Sequence, residues 1–330
     1  MLTGKPYPVR AFISQASNTL VHPTNTKLVY KALKSLDLLI NMDYFMTPTG
    51  MLADYVLPAA DWMERPVVSP INEGRIHIVA GERSIQPEYE RRDDYQFWRE
   101  LGIRLGQEEY WPWKTLEEVF DYRFKPLGYT LEEFVHKVRG VMGPLEFRKY
   151  ERYGFATPSK KVEIHSKIFE ELGYDPLPNY EEPAEGPVST PELAKDYPLV
   201  LTTGGRVRYF YHSEFRQIKA MKSKHSDPLV DININTAHEL GIEDGEWVWI
   251  ETPLGRVKKK AKLNSDMHPK VVHTQQNNWW FPEDPGEEPS LFGLWKSNDN
   301  VILDDDPDKC DPMTGGWPMM ALCRIYPVDV

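Results

Sequence analysis

Residues 231–257 read DININTAHELGIEDGEWVWIETPLGRV, and the pattern within them sets the architecture around them. Their first letters end a strand predicted over 228–234, alternating around Val230 and Ile232. Asn235 offers a side-chain oxygen to cap a short helical turn over 236–240, and Gly241 ends that turn. Gly245 opens an alternating strand over 246–251, and Pro253-Leu254-Gly255 turns the chain into a return arm over 256–263. With further strands at 271–273 and 321–328, the second half is predicted to be a mostly β, barrel-like domain.

Upstream, residues 199–213 read LVLTTGGRVRYFYHS. A short apolar strand, 199–201, runs into Thr202, Thr203, Gly204 and Gly205, then Arg206, three aromatic residues, His212 and Ser213. Glycines let a backbone approach a ligand, the neighbouring amides and hydroxyls bond anionic oxygens, and Arg206 adds a planar fork suited to phosphate. The same letters also suit an ordinary hairpin, so by themselves they leave both readings open.

The first half has a different rhythm. A strand over 9–14, a polar loop at 15–18, a helix over 26–35 and a strand over 36–42 make the unit of a parallel α/β sheet. In such sheets ligands sit beyond the carboxyl ends of the strands, where loops 14–19 and 42–49 fall. A third strand, 53–58, closes on a proline. Residues 76–79 alternate, a helix is expected over 93–105, and short Glu- and aromatic-rich helices run to about residue 150. Six prolines over 175–198 predict an extended connector. The expected organisation is an α/β domain, 1–150, a connector, 151–197, and the barrel domain, 198–330.

Composition bounds the function. The 330 residues are 41% hydrophobic and 27% charged, ordinary for a globular protein, and the formal charge of −11 argues against a nucleic-acid partner. Two cysteines, Cys310 and Cys323, support neither a disulfide framework nor a four-cysteine cluster site. No apolar run approaches the ~20 residues of a membrane span. The opening MLTGKPYPVR has no apolar signal-peptide core, which points to a cytoplasmic place for a chain that truly starts there. The run Asp304-Asp305-Asp306 lacks the spacing of a calcium loop, and no nucleophile–base set can be read from the order of residues.

Together these pieces resemble the molybdopterin oxidoreductases of the dimethyl sulfoxide reductase superfamily. That family binds molybdenum or tungsten through two pterin guanine dinucleotides. Residues 231–257 are similar to the "xINPxxAxxLGIxDGDxVxVxxxxG" stretch of its C-terminal double-psi β-barrel domain. The Thr203-to-Arg206 loop with His212-Ser213 precedes that stretch, as in the family. His273 to Trp280, then Asn298, Asn300 and Leu303, then Asp311 to Gly315 follow in the family's order. In the first half Asp43 to Thr49 resembles "DxFxTxTA", and residues 53–58 resemble "ADVVLP". Glu64 and Asn72-Glu73-Gly74-Arg75 match the acid and the "NxEGR" that follow. FATPSKKVEIHS (155–166), YFYHSEFRQ (209–217) and WWFPEDPGEEPSLFG (279–293) look nearest to the acetylene hydratase-like branch, with sulfur-compound and formate enzymes as neighbours. Thr19 replaces the usual Pro after Asn18, Gly50 stands for Ala, and Asn278 sits near a customary Gly.

The resemblance implies a partial parallel-sheet, Rossmann-like domain followed by the double-psi barrel. It implies a bis-molybdopterin guanine dinucleotide cofactor with Mo or W, and no iron–sulfur cluster in this chain. Cofactor contacts are expected at Asn18, Asp43, Thr47, Thr49, Asp54, Thr203, Gly204, Gly205, Arg206, His212, Ser213 and Asn300, with no catalytic residue and no metal ligand. On the residues alone Asp43 equally suits a turn or cap, and Asp54 suits loop amides. In the family an N-terminal half carries the iron–sulfur cluster and the metal ligand. That half is expected as a partner, with electron-transfer subunits, and no turnover is expected without it. The expected role is cofactor binding as the C-terminal part of an oxidoreductase acting on a sulfur compound, formate or similar small molecule. The alternatives are a portion of a non-redox, acetylene hydratase-like enzyme, and a standalone cofactor-binding or assembly subunit. Tyr209, Phe210, Tyr211, Trp279 and Trp280 are expected to gather at an open aromatic cleft.

Overall fold

The structure, a computed structural model, describes residues 1–72, 76–142, 146–177, 179–275, 278–311, 315–316 and 319–328. Its contacts gather into two units, Met1–Leu57 with Glu182–Val330, and Pro58–Glu181. In the first unit β1 (Ala11–Gln15) pairs in parallel with β2 (Leu38–Asp43), Phe12 opposite Leu39 and Ile13 opposite Ile40. Strand β3 (Tyr55–Pro58) completes a sheet ordered β1-β2-β3. The crossover helix α1 (Thr26–Lys34) is capped by Asn25, whose side chain accepts from the Leu28 amide, and Lys31 and Lys34 face the negative end of its dipole. The short α2 (Pro48–Leu52) begins where Thr47 accepts from the Gly50 amide and Pro48 needs no donor partner.

The second unit is built around a hairpin of β4 (Val67–Asn72) and β5 (Ile76–Gly81), with helices α3 (Asp94–Arg104) and α4 (Leu116–Phe124) and the two-residue β6 (Val141–Met142) beside β5. Asp93 and Thr115 cap the two helices. Phe120, Phe124, Leu131 and Phe134 form its core, the rings of Phe124 and Phe134 stacked 4.3 Å apart. Glu64 is buried here and takes the Asp61 amide and the Arg91 guanidinium, 2.7 Å away. Glu73, Gly74 and Arg75 of the expected family quartet lie outside the described residues, as do 312–314.

The rest of the first unit is a closed barrel. Its strands are β7 (Leu199–Gly205), β8 (Leu229–Ile232), β9 (Trp247–Thr252), β10 (Gly255–Leu263), β11 (Val271–Gln275) and β12 (Met320–Pro327), in the order β10-β8-β11-β7-β12-β9. The pairs β8–β10 and β7–β11 run parallel and the others antiparallel. Leu201, Val230, Ile232, Val248, Ile250, Val257 and Val272 are wholly removed from solvent inside it. A partial parallel sheet followed by a mostly β barrel is the fold class the sequence predicts.

Two local expectations are corrected. The turn Ile234–Glu239 is capped by Asn233, which accepts from the amides of Asn235 and Thr236, because the chain bends as it leaves β8 and Asn235 is already inside the first turn. The stretch expected to be extended holds a helix, Pro191–Asp196, in which proline at the first position presets the helical φ.

Candidate functional site

Loops leaving β1, β2 and β7 meet residues beyond β11 around a cavity of about 190 Å³. The first loop gives Ala16, Ser17, Asn18 and His22, and the second gives Asp43, Phe45 and Thr47. The third gives Tyr211 to Glu214 and Gln217, with Asn278 and Trp280 closing the wall. The cavity thus lies past the carboxyl ends of parallel strands, as the topology of such sheets requires.

Asn18 is buried, and its Oδ1 accepts from the Thr49 hydroxyl at 2.6 Å. Its Nδ2 has no hydrogen-bond partner among the described residues. Gln217 donates from Nε2 to the Met46 carbonyl at 2.8 Å, and its Oε1 and the Oδ1 of the buried Asn278 have no partner among the described residues. Three residues that line the cavity, from three distant segments, therefore each carry a buried donor or acceptor without a partner among the described residues. A polar ligand with both kinds of edge fits that set.

Two carboxylates share the same space. Burial pushes the Asp43 carboxyl above its ordinary range, with the amides of Tyr44 and Phe45 pulling the other way. Glu214 is pushed up by burial and then by the Asp43 charge. A carboxyl whose folded pKa is raised costs stability once pH passes its unfolded value, about 4.3 for Glu, and costs nothing well below that pH. Glu214→Gln is therefore expected to raise the urea midpoint slightly at pH 7, the effect being reduced by solvent screening of this half-buried group. The gain should fade as pH falls to about 4. A lower midpoint for the variant at pH 7 would mean that the carboxylate is held by a favourable partner instead.

Of the residues the sequence singled out, Asn18, Asp43, Thr47, His212 and Ser213 line this cavity. Thr49 sits behind it as a brace, accepting the Leu20 amide at 2.9 Å. Asp54 takes the Leu39 amide at 2.7 Å. Asn300 is fully buried and donates to the carbonyls of Val21 and His22, so it holds the cavity's first loop from outside. The Gly204–Gly205 pair faces its own barrel. A Cβ on Gly204, at φ +92°, would lie 2.5 Å from Met319 Cε, and one on Gly205 would lie 2.5 Å from His273 Nε2. Thr203 Oγ1 is buried without a partner among the described residues, and Arg206 is exposed. Gly50, where the family pattern has Ala, leaves little room, since a Cβ would come within 3.1 Å of Asn41 Oδ1.

His22, Glu214, Gln217 and Asn278 were given no role from the sequence, although Glu214 and Gln217 stand three apart in YHSEFRQ, beside His212 and Ser213. The open aromatic cleft is also corrected. Phe210, Trp279 and Trp280 are buried, while Tyr209 and Tyr211 are exposed. The buried Arg216 guanidinium lies 4.0 Å from the Trp279 ring centre and 4.8 Å from that of Phe210, so a cation draws these faces inward.

Two family models match the chain: molybdopterin oxidoreductase over residues 4–104 and molydopterin dinucleotide binding domain over 199–320. Acetylene hydratase of Syntrophotalea acetylenica is 40% identical over 315 residues, covering 96% of this chain and 43% of the relative. The solved acetylene hydratase from Pelobacter acetylenicus superposes with a TM-score of 0.91, covering 98% of this chain and 45% of that one. The molybdopterin-containing subunit of thiosulfate reductase from Salmonella typhimurium is 27% identical over 296 residues, 82% of this chain and 38% of the relative. The chain thus spans less than half the length of these relatives. No helix among the described residues is long and apolar enough to cross a membrane. Matched by both models and alike in fold and sequence to acetylene hydratase, the chain belongs to the molybdopterin oxidoreductases of the dimethyl sulfoxide reductase superfamily.

Proposed function

We propose that the cavity holds part of a molybdopterin guanine dinucleotide and that the chain is a dinucleotide-binding portion of a molybdenum or tungsten enzyme. The observation that carries this is that three residues lining one cavity, Asn18, Gln217 and Asn278, each hold a buried side-chain atom, Nδ2, Oε1 and Oδ1, with no partner among the described residues. Each unmet buried polar atom costs about 1–3 kcal/mol, so three around one space support a ligand that pairs with them. Pterin and guanine rings present donor and acceptor edges side by side. Asp43 accepts from a ring N–H edge, while Thr47, His212 and Ser213 supply hydroxyl and imidazole contacts. Thr203, Gly204, Gly205 and Arg206, at the end of β7, are the proposed contacts for a further part of the dinucleotide, and the unpaired Thr203 hydroxyl supports that role. Thr49, Asp54 and Asn300 act by holding the loops.

When bound, the group supplies a metal centre for oxygen-atom or electron transfer. The chain's own residues bind it, orient it and exclude water from its edges. The bis form of the cofactor, an N-terminal half carrying the iron–sulfur cluster and the metal ligand, and electron-transfer subunits belong to the same proposal. So does the family division into 1–150, a connector, 151–197, and the dinucleotide domain, 198–330. Protein purified with its partner half should release guanine on acid hydrolysis and contain molybdenum or tungsten by elemental mass spectrometry. Active material lacking both would overturn the reading.

A second reading, hydration in place of redox turnover on a sulfur compound or formate, is favoured by the 40% identity to acetylene hydratase. Turnover of acetylene by the complete enzyme with no added electron acceptor would support it, and a strict need for an acceptor would exclude it.

A further inference from the structure

Three lysines in a row, 258–260, read as a solvated run, yet the alternation of β10 turns the middle one inward between Val257 and Ala261. Lys259 is fully buried, and its Nζ lies 2.9 Å from Asp299 Oδ1, which is equally buried. It also donates to the Ser297 carbonyl at 2.8 Å. Asp299 opens the short helical turn Asp299–Val301. The residues on either side of it, Asn298 and Asn300, donate to the Val21 carbonyl at 3.1 and 2.8 Å, and Asn300 also to that of His22 at 2.9 Å. His22 lines the cavity.

Burial pushes the Lys259 pKa down and the Asp299 pKa up, and in each case their mutual attraction opposes it as the smaller effect. Arg216 adds to the depression at Lys259, while Thr274 and His273 steady the Asp299 charge. Ion pairs so placed are commonly no more stabilising than apolar side chains of the same size, so stability does not account for this one. The pair joins β10 to the turn that grips the cavity's first loop, beside the Ser297 hydroxyl, which donates to the Lys258 carbonyl at 2.6 Å.

We propose that the Lys259–Asp299 ion pair is a positioning device for the cofactor cavity: it fixes the turn 297–300 on β10 so that Asn298 and Asn300 hold the Val21 and His22 carbonyls in place. The proposal rests on the cavity being the cofactor site. The test reads the loop itself, so the failure of either idea is separately visible.

The experiment compares the full chain with the charge-free double variant Lys259→Met/Asp299→Leu by urea unfolding and by amide hydrogen exchange. The variant should keep a urea midpoint near that of the parent. The Leu20 and Val21 amides, bonded to Thr49 Oγ1 and the Asn18 carbonyl, should exchange at least about tenfold faster, with the amides of β8 and β11 unchanged. Slow exchange at Leu20 and Val21 in a stably folded double variant overturns the proposal. If the double variant does not fold, Asn300→Ala, which leaves the charges in place, carries the test. The same local loosening is expected, and undiminished protection at Leu20 and Val21 overturns it.

Discussion

Trp280→Ala should lower the stability of the barrel-bearing unit by about 3–5 kcal/mol, the usual cost of deleting a buried aromatic side chain. Trp280 is 1% exposed and packs its ring 5.4 Å from that of Phe292. Its Nε1 donates to the Ser213 carbonyl at 3.1 Å, so the same side chain fills the core and fastens a cavity loop. Trp280→Phe separates the two roles. It keeps most of the apolar bulk and loses the N–H, and should cost about 1 kcal/mol from the bond, plus a smaller packing loss. Urea unfolding of both variants checks this. Equal midpoints for the two would mean that packing is not the dominant contribution at this site.

Arg216→Ala is the second large effect, expected at about 3 kcal/mol from a void between two rings and a lost desolvated cation–π contact worth about 2 kcal/mol. The edge-on Phe210–Trp279 pair, 5.8 Å between centres, has the guanidinium against both rings, and Arg216 also reaches the His212 carbonyl at 3.4 Å. Burial pushes the guanidinium pKa down to about 9. A base with a lowered folded pKa carries a stability cost at every pH below that value. The cost fades only as pH climbs above about 9 towards the much higher value of a free guanidinium. Arg216→Met, which fills the slot without a charge to desolvate, should therefore sit nearer the parent than Arg216→Ala at pH 7. Thermal unfolding followed by near-UV circular dichroism separates them, and a Met variant as weak as the Ala variant would show that the charge itself holds the rings.

The elements that sequence made legible are those governed by short-range rules. The alternation through Trp247 and Ile250, the glycines at 241 and 245, and the helix spacing around Leu33 each depend on neighbours within a few residues, and each yields the element found. The site was legible in part for the same reason. Asn18 and Asp43 sit at strand ends, where loops must fall, but Glu214, Gln217 and Asn278 become cavity residues only when β7 and β11 pair. Asn300 looked like a cofactor ligand because its letters match a family motif. In the fold its Nδ2 donates to the carbonyls of Val21 and His22, far along the chain. Lys259 hid inside a run of like charges, although its period-two position pointed inward. Burial of a charge depends on barrel closure, which local composition does not report.

The hold of Asn298 and Asn300 on Val21 spans 277 and 279 residues. A ribosome adding roughly 5–20 residues per second takes about 15–60 s to cover that gap. For that interval Leu20 and Val21, both wholly buried in the finished molecule, emerge without the partners that later cover them. The first loop of the cavity is therefore synthesised well before the turn that secures it. The cavity cannot be complete until the turn at residue 300 has left the exit tunnel, and a chaperone that shields the first loop has that interval in which to act.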